Sequence, residues 1–365
     1  MLDPILQLFS KMVEDEASDL ILRTGHRSVT RVDGQIRFLG DEVFTEEQGQ
    51  ALLEHILEPK ELERFEESCE WDTAFVVPDA GRFRCNFLRQ RRRTGFVFRH
   101  VKEVVPSMDD LYLPAAPLKR LSLLRRGLVL VTGIAGSGKS TTLASMIDYV
   151  NDCEHRHVVT IEDPIEFIFQ DRLCAVTQRE VGIDTEDYYR ALKAAMRQTP
   201  DIILVGEMRD KQTVEAALMA AETGHLVMST LHTVNAVQTV ERIISFFPPH
   251  QHDTIRMQLS LVLEGVVSQR LISRRSTNGR VPAVEVMVGT PTVKEMVLEG
   301  RTRELAEAVE EGHQYYGSQS FNQCLVGLVR EGIIDFDDAI SAADSPDELK
   351  LALRGITKGV NHMDQ

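Results

Sequence analysis

The sequence predicts an α/β protein, in which a core of mainly parallel strands follows a smaller α+β domain. One observation is the glycine-rich motif at residues 133–141, Gly-Ile-Ala-Gly-Ser-Gly-Lys-Ser-Thr, which matches the pattern G-x-x-x-x-G-K-[ST]. A second is the alternation of short apolar runs with helical patterns beyond residue 120, which is typical of parallel α/β folds. A third is a set of hairpin signals between residues 19 and 101, which predicts a separate first domain.

The segments on either side of the glycine-rich motif have the pattern that a phosphate-binding loop needs. The apolar, β-branched run at residues 128–132 predicts a strand before it. The helix predicted after it has one apolar face, formed by Leu143, Met146, Ile147 and Val150. Glycines allow backbone N–H groups to turn toward a phosphate, Lys139 can reach the β- and γ-phosphates, and the Ser140 hydroxyl can bind Mg²⁺. The motif in this context predicts binding of a nucleoside triphosphate.

The composition is that of an acidic globular protein. The chain has 365 residues, 43% hydrophobic content and a formal net charge of −15, so it can form two cores and has no overall basic field that attracts nucleic acid or anionic lipid. Its five cysteines form no C-x-x-C pair, which argues against a zinc site or disulfide framework. The charged N-terminus is unlike a signal peptide, and no apolar run is long enough to span a bilayer. We therefore expect a cytoplasmic protein with one local basic patch, at residues 89–93.

Residues 1–104 are predicted to form the α+β domain. One helix begins at Asp3-Pro4, and a second begins at the capping box Thr45-Glu-Glu-Gln48 and ends before Pro59. The predicted strands are 19–23, 29–38 (folded at Asp33-Gly34), 72–77, 82–90 and 95–101, with turns at 78–81 and 92–95.

Residues 105–119 contain three prolines and few periodic apolar positions, so they are predicted to be a linker. Residues 120–365 are predicted to form the nucleotide-binding domain, which becomes mostly helical from about residue 250. There Ile255, Leu259, Val262 and Val266 are predicted to share one helix face. The predicted strands of this domain are 127–132, 157–161, 175–178, 201–205 and 226–231.

Hydrolysis needs a metal ligand, a group that orients water and positive charge at the γ-phosphate, and three segments could supply them. Residues 160–166 form an acidic turn fixed by Pro164, for which a solvated surface turn is the alternative. Residues 201–207 are an apolar strand that ends at Glu207, with glycine at position 206 where many P-loop proteins have aspartate. His225 and His232 bracket the strand at 226–231, either as γ-phosphate sensors or as structural residues.

A strand of the first domain offers a pair of arginines. Along residues 82–90, Phe83, Cys85 and Phe87 alternate with polar residues, so the aromatic face is predicted to be core. Arg82 and Arg84 then point outward together. They either serve solubility or contact a phosphate, including one bound by a neighbouring subunit.

These segments, in this order, resemble the PilT/PilU family of type IV pilus retraction ATPases, within the secretion ATPase superfamily. The matching motifs are Ala17-Ser-Asp-Leu20, Arg31-Val-Asp-Gly34, Gly81-Arg-Phe-Arg84, Arg126-Gly-Leu-Val129, Gln178-Arg-Glu-Val181, Gly206-Glu-Met-Arg209, Thr223-Gly-His-Leu226 and Gly289-Thr-Pro291. The resemblance implies a PAS-like N-terminal domain joined to a RecA-like core. It also implies a ring hexamer with ATP bound between subunits.

The resemblance also implies roles for individual residues. Glu166 falls at the position of the general base, and Glu207 at that of the Walker B glutamate, which binds Mg²⁺ with Ser140. The catalytic residues that it implies are Glu166, Glu207, His232, His225, Arg82 and Arg84. The implied nucleotide contacts are Gly133, Gly136, Ser137, Gly138, Lys139, Ser140 and Thr141.

Two segments bear on whether the chain is more like PilT or more like PilU. Where PilT proteins carry a motif close to A-I-R-N-L-I-R-E, residues 292–299 read Thr-Val-Lys-Glu-Met-Val-Leu-Glu. Residues 344–349 look more like the C-terminal extension of PilU, the accessory retraction ATPase. The resemblance therefore favours a PilU-like member, and the missing C-x-x-C pairs argue against the pilus assembly ATPases.

The resemblance implies a hexameric motor ATPase that uses ATP and Mg²⁺ to drive pilus retraction, and so twitching motility, through inter-domain motion. Its expected partners are the inner-membrane platform protein of the pilus, reached from the cytoplasmic side, and a PilT-type paralogue. Two alternatives stay open. One is an accessory ATP-binding subunit of a PilT-type hexamer, and the other is a nucleic-acid translocase on the same core. The net charge of −15 disfavours the translocase, so no nucleic-acid partner is expected.

Overall fold

The computed structural model describes residues 2–32, 35–78, 80–101, 104–275 and 279–355. It divides into two units. The first unit contains Met1–Val104 and also the short segment Pro164–Ile168. The second unit contains Val105–Asp163 and Phe169–Gln365. The predicted hairpin turn at Asp33-Gly34 lies outside the described residues, as does Asp79 of the turn predicted at 78–81.

The first unit has a six-stranded antiparallel sheet with the strand order β3-β2-β1-β6-β5-β4. Its elements are α1 Asp3–Glu14, β1 Asp19–Arg23, β2 His26–Val32, β3 Gln35–Phe44, α2 Glu46–Ile56, α3 Pro59–Ser68, β4 Glu70–Val77, β5 Gly81–Gln90 and β6 Arg93–His100. The helix α3 had no counterpart in the sequence prediction. The capping box at the start of α2 is confirmed, because Thr45 accepts from the Gln48 N–H and Gln48 accepts from the Thr45 N–H.

Aromatic rings fill the core of the first unit. Phe9 of α1 packs edge-to-face on Phe83 and Phe98, with ring centroids 4.8 Å apart in both pairs. Phe83, Cys85 and Phe87 of β5 are fully buried, as the alternation along this strand predicted. The turn between β5 and β6 is shorter than predicted: Arg91 and Arg92 have φ of 50° and 63°, and Gln90 already pairs with Arg93. Positive φ at both central residues is what a two-residue hairpin turn requires.

The second unit has a seven-stranded sheet with the order β13-β12-β7-β11-β10-β8-β9. All neighbours are parallel except β12 and β13, which are antiparallel. Its elements are α4 Ala115–Ser122, β7 Gly127–Thr132, α5 Lys139–Cys153, β8 His157–Glu162, β9 Ala175–Glu180, α6 Tyr188–Ala195, β10 Ile202–Val205, α7 Lys211–Glu222, β11 Leu226–Leu231, α8 Ala236–Ser245, α9 His252–Val262, β12 Leu263–Ser273, β13 Arg280–Val288, α10 Pro291–Glu299, α11 Leu305–Glu311, α12 His313–Tyr316, α13 Phe321–Arg330, α14 Phe336–Ala342 and α15 Pro346–Leu353.

The central strands of this sheet are buried on both faces. Every residue of β7, β10 and β11 is buried. Along β7, Leu128 and Leu130 pack in one hydrophobic cluster, whereas Val129 and Val131 pack in another. Because alternate residues of a strand face opposite sides, the sheet separates two cores. Of the helices described, none is long and apolar enough to cross a membrane.

The structure corrects the linker predicted at 105–119. Met108 and Leu113 are buried and pack with Leu118 of α4 against Val129 and Val131 of β7. The second unit thus begins at Val105 and not at residue 120. The prolines stiffen a segment that packs on the core, so their presence did not distinguish it from a free linker.

The region beyond residue 250 is mostly helical, as predicted, but it also contains two strands that the sequence did not predict. The helix α9 ends at Val262, and β12 and β13 then extend the sheet. Val266 is therefore a buried strand residue and does not share a helix face with Ile255. The apolar residues of β12 lie on both faces of the strand, and such a run has no alternation that distinguishes it from a helix.

Replacement of Leu113 by alanine tests whether residues 105–119 belong to the second core. We expect Leu113→Ala to lower the free energy of unfolding by about 2–4 kcal/mol, because a buried leucine leaves a cavity. The control is Asp109→Ala, since Asp109 is exposed and forms only a 3.6 Å ion pair with Lys119. Differential scanning calorimetry of both variants measures this. If residues 105–119 were a free linker, Leu113→Ala and Asp109→Ala would both change the free energy of unfolding by equally small amounts.

Candidate nucleotide-binding and hydrolysis site

The glycine-rich loop after β7 has the left-handed backbone that its glycines permit. Gly133, Gly136 and Gly138 have φ of 146°, 74° and 91°. A Cβ atom at Gly133 would lie 2.3 Å from the backbone oxygen of Gln269, so no side chain fits there. The loop thus forms a concave turn of backbone N–H groups before α5, as the motif predicted.

Lys139 lies over this loop. Its ammonium group donates to the backbone oxygens of Gly133 at 2.9 Å and Ile134 at 3.0 Å, and the residue is only 8% exposed. A buried lysine is stable only where its charge is compensated, and phosphate oxygens compensate it better than carbonyl dipoles do. Within the described chain the buried Ser137 hydroxyl has no hydrogen-bond partner. A phosphate group fits this set of donors.

Three further segments reach the same edge of the sheet as the loop. The strands β7, β11, β10 and β8 are parallel, with Leu231 paired to Thr132 and Val205 paired to Ile161. Their carboxyl ends therefore lie together, where ligands bind in open α/β sheets. Glu162, Glu207 and His232 lie at or just beyond the ends of β8, β10 and β11, respectively.

Glu207 and His232 contact each other at this edge. One oxygen of the Glu207 carboxylate lies 3.1 Å from His232 Nε2, and the other lies 2.9 Å from Arg209 Nε. The Glu207 side chain is 16% exposed, and its hydrogen bond and charge raise the pKa of Arg209. A carboxylate whose two oxygens are held by a guanidinium and an imidazole has a fixed orientation, which suits it to bind a cation or to orient a water molecule.

Of the two histidines predicted as γ-phosphate sensors, His225 does not lie at this edge, and its catalytic role stays a prediction. It precedes β11, and its backbone oxygen accepts from the Gly127 N–H at the start of β7. Its Nδ1 lies 2.9 Å from the Ala220 oxygen. A strand of this length spans about 20 Å at ~3.3 Å per residue, so within one chain only His232 lies near the P-loop edge.

Glycine at position 206 has a structural reason. A Cβ atom there would lie 3.0 Å from the Tyr188 hydroxyl and 3.2 Å from the Ile161 oxygen, so Tyr188 of α6 occupies the space of a side chain. Burial raises the pKa of Tyr188, and the charge of Asp163 raises it further. Glu162 accepts from the Thr160 hydroxyl at 2.7 Å. The start of the acidic turn is thus tied to the sheet.

The remaining predicted residues lie in the first unit. Glu166 is exposed and belongs to the segment Pro164–Ile168. Arg82 and Arg84 lie on the face of β5 opposite Phe83. Arg84 lines a cavity of about 330 Å³ whose other lining residues are Asp19, Asp72, Asn86, Val97 and Arg99. The catalytic roles of these residues stay predictions.

Three residues at this edge of the sheet were not predicted as site residues from the sequence. Arg209 ends the motif Gly206-Glu-Met-Arg209, and its position two residues after Glu207 was a signal for it. Tyr188 gave no such signal. Gln269, which contacts the loop with its side chain, was missed because β12 was not recognised as a strand.

Glu285 of β13 is a buried acid close to the same edge. One of its carboxylate oxygens accepts from the Ala236 N–H at the start of α8, at 2.7 Å. Burial raises its pKa to about 7, against the opposing effect of this hydrogen bond. The charged groups that act on it are Asp344, which raises the pKa, and Arg270, which lowers it.

A P-loop on a parallel sheet, with a carboxylate and a histidine at the same edge, defines a P-loop nucleoside triphosphatase. The chain belongs to the Type II/IV secretion system protein family, whose model matches residues 3–331. It is 43% identical over 343 residues to the type IV pilus retraction ATPase PilT of Pseudomonas aeruginosa, which covers 94% of this chain and 99% of that protein. It is 38% identical over 358 residues to the type IV pilus ATPase PilU of the same organism. That match covers 98% of this chain and 93% of PilU.

A solved structure agrees with these matches. The crystal structure of the pilus retraction motor PilT with bound ADP has a TM-score of 0.88 and 41% identity, and covers 95% of this chain and 98% of that one. The predicted PilT/PilU family, the secretion ATPase fold and the ATP hydrolase class are confirmed. Identities of 43% to PilT and 38% to PilU do not favour the PilU-like members over the PilT-like ones.

The raised pKa of Glu285 predicts a pH-dependent loss of stability. Between the unfolded pKa of 4.5 and the folded value of about 7, the folded protein keeps a proton that the unfolded chain releases. Stability therefore falls as the pH rises through this window, by about 3 kcal/mol at most. Glu285→Gln keeps an acceptor for the Ala236 N–H but cannot titrate. We expect wild type to lose stability relative to this variant between pH 5 and pH 8 in urea unfolding. If the difference in stability between wild type and Glu285→Gln stayed constant over this pH range, the raised pKa of Glu285 would be contradicted.

Proposed function

We propose that this chain is the ATP-hydrolysing motor of type IV pilus retraction, assembled as a homo-hexamer. The observation that carries the proposal is the joint position of the Lys139 loop and the Glu207–His232 pair at one edge of the sheet. The similarity to PilT and PilU over nearly the whole chain supports the pilus as its place of action. Its partners would be the inner-membrane platform protein, approached from the cytoplasm, and a PilT-type paralogue.

In this proposal the loop binds the phosphates of ATP. Lys139 leaves the oxygens of Gly133 and Ile134 and contacts the β- and γ-phosphates, while the N–H groups from Gly136 to Thr141 surround them. Ser140 and Glu207 would hold Mg²⁺, which neutralises charge on the β- and γ-phosphates when bound. Across the described residues no cluster of three or more His, Cys, Asp or Glu side chains could hold a metal alone, which suits an ion bound largely by substrate and water.

The other predicted residues complete the chemistry. Glu166 acts as the general base toward the attacking water, and His232 contacts the γ-phosphate while it holds Glu207. Arg82 and Arg84 supply positive charge to a nucleotide bound by a neighbouring subunit. Hydrolysis then drives inter-domain motion, because ATP and ADP differ in affinity for the states of the ring.

The second candidate function is that of an accessory ATP-binding subunit beside a PilT-type hexamer. It is favoured by residues 292–299, which lack the arginines and asparagine of the PilT motif. In their place Lys294 of α10 forms a 2.7 Å ion pair with Glu264 of β12.

ATP turnover across a dilution series separates the two candidates. We expect Mg²⁺-dependent hydrolysis whose specific activity rises with protein concentration, because the sites are shared between subunits. Lys139→Ala should abolish it, and Glu207→Gln should lower kcat by about 10²–10³ with little change in ADP affinity. Tight ATP binding without turnover at any concentration would refute the autonomous motor and leave the accessory function.

A mixing experiment tests the contribution of arginine from a neighbouring subunit. Arg84→Ala and Lys139→Ala should each be nearly inactive alone. In rings mixed at equal amounts, about one quarter of the sites combine an intact Lys139 with an intact Arg84 from the next chain. We expect recovery of about that fraction of wild-type activity. If the mixture is as inactive as its components, Arg84 does not act across the interface.

A further inference from the structure

The side chain of Gln269 lies against the phosphate-binding loop from the neighbouring strand β12. The preceding residue, Ser268, pairs with Thr132 at the end of β7, so Gln269 is placed level with the start of the loop. Gln269 is 3% exposed. Its amide nitrogen donates to the Ser137 oxygen at 2.6 Å, and its amide oxygen accepts from the Thr142 hydroxyl at 2.9 Å.

These two hydrogen bonds fix which way the amide points. A carbonyl oxygen can only accept, so the group facing Ser137 must be the NH₂ of Gln269. The amide oxygen then faces Thr142, in the first turn of α5. The side chain thus connects the loop to the helix that follows it.

The bond to Ser137 also sets the direction of an N–H group. In a planar trans peptide the C=O and the next N–H point in opposite directions. With the Ser137 oxygen held by Gln269, the N–H of Gly138 points away from β12. Gly138 is the N-cap of α5, where backbone N–H groups have no intrahelical acceptor and are available to an anion.

The glycines of the loop fit closely around the same residue. A Cβ atom at Gly138 would lie 3.0 Å from the Gln269 amide nitrogen, and one at Gly133 would lie 2.3 Å from the Gln269 backbone oxygen. Gln269 therefore limits the loop at both ends, at the first and the last glycine of the motif.

We propose that Gln269 is a positioning residue for phosphate binding: it holds the Ser137–Gly138 peptide so that the Gly138 N–H faces the site before any nucleotide arrives. This role rests on the proposed function, since it presumes that the loop binds a nucleotide. It acts through the loop backbone and does not require Gln269 to touch the nucleotide.

A role in phosphate binding makes a prediction that a packing role does not. Loss of the bond to Ser137 should weaken ligands that reach the loop with a β-phosphate, and should leave AMP almost unaffected. We expect Gln269→Leu to raise the Kd for ADP about tenfold, as loss of one hydrogen bond to an ordered loop would. The change for AMP should be less than about twofold.

Gln319→Leu is the matched control. Gln319 donates through its side chain to a backbone oxygen, that of Val284, at 2.8 Å, but it belongs to the segment that precedes α13. This variant loses the same kind of bond in the same unit. It should bind ADP like wild type, and any fall in its melting temperature calibrates the purely structural cost.

A second variant keeps the proposal testable if Gln269→Leu does not fold. Gln269→Glu still accepts from Thr142, but its carboxylate cannot donate to the Ser137 oxygen until it is protonated. Its affinity for ADP, relative to wild type, should therefore be low at pH 8 and recover toward pH 5.5.

Fluorescence titration of the full-length variants with labelled ADP and AMP measures these effects. Equal ADP affinity of wild type and Gln269→Leu would overturn the proposal, and so would equal losses for ADP and AMP. The proposal would also be overturned if the affinity of Gln269→Glu for ADP, relative to that of wild type, did not change with pH. If wild type itself fails to bind ADP, the proposed function is refuted, and the role of Gln269 in phosphate binding is refuted with it.

Discussion

The parallel pairing of β7 with β12 is the interaction on which the nucleotide site depends. It places Ser268 beside Thr132, whose hydroxyl groups lie 3.0 Å apart, and so brings Gln269 against the loop. The loop's own glycines cannot fix one conformation, because glycine is the residue with the greatest backbone freedom. The fixed direction of the Gly138 N–H comes from the bond between Gln269 of β12 and the Ser137 oxygen, and not from the motif. The same strand continues the sheet to β13, where Glu285 holds the start of α8.

The local parts of the fold could be predicted from the sequence. The capping box at Thr45, the buried aromatic face of β5 and the strands β7, β10 and β11 depend on residues near each other in the chain. The course of β12 and β13 could not be predicted in this way. Their apolar residues pack in three hydrophobic clusters on the two faces of the sheet, and only their neighbours in the finished sheet distinguish them from helix. The prolines of 105–119 misled for a similar reason, since packing and not composition decides whether such a segment is a linker.

The candidate site also has parts that could be predicted from the sequence and parts that could not. The motif predicted the glycine loop and Lys139, and the apolar strand before Glu207 predicted a carboxylate at the edge of the sheet. Spacing along the chain placed His225 and His232 at the two ends of one strand, but it could not show that His232 is the one that contacts Glu207. Nor could it show Gln269, which is more than a hundred residues from the loop that it contacts. Likewise, only the structure shows that Tyr188 occupies the space beside Gly206 and so explains the glycine there. Long-range strand pairing determines these contacts, and a pattern read in one window does not contain it.

The central claim is that β12 holds the phosphate-binding loop in its binding conformation before nucleotide arrives. The most direct measurement is a pair of crystal structures of the full chain, without nucleotide and with Mg²⁺ and ADP. The account predicts that the Gln269–Ser137 bond and the positive φ of Gly133, Gly136 and Gly138 are present in both. Lys139 alone should turn from the Gly133 oxygen to a phosphate. A loop that is disordered or closed without ADP, with Gln269 turned away, would contradict it.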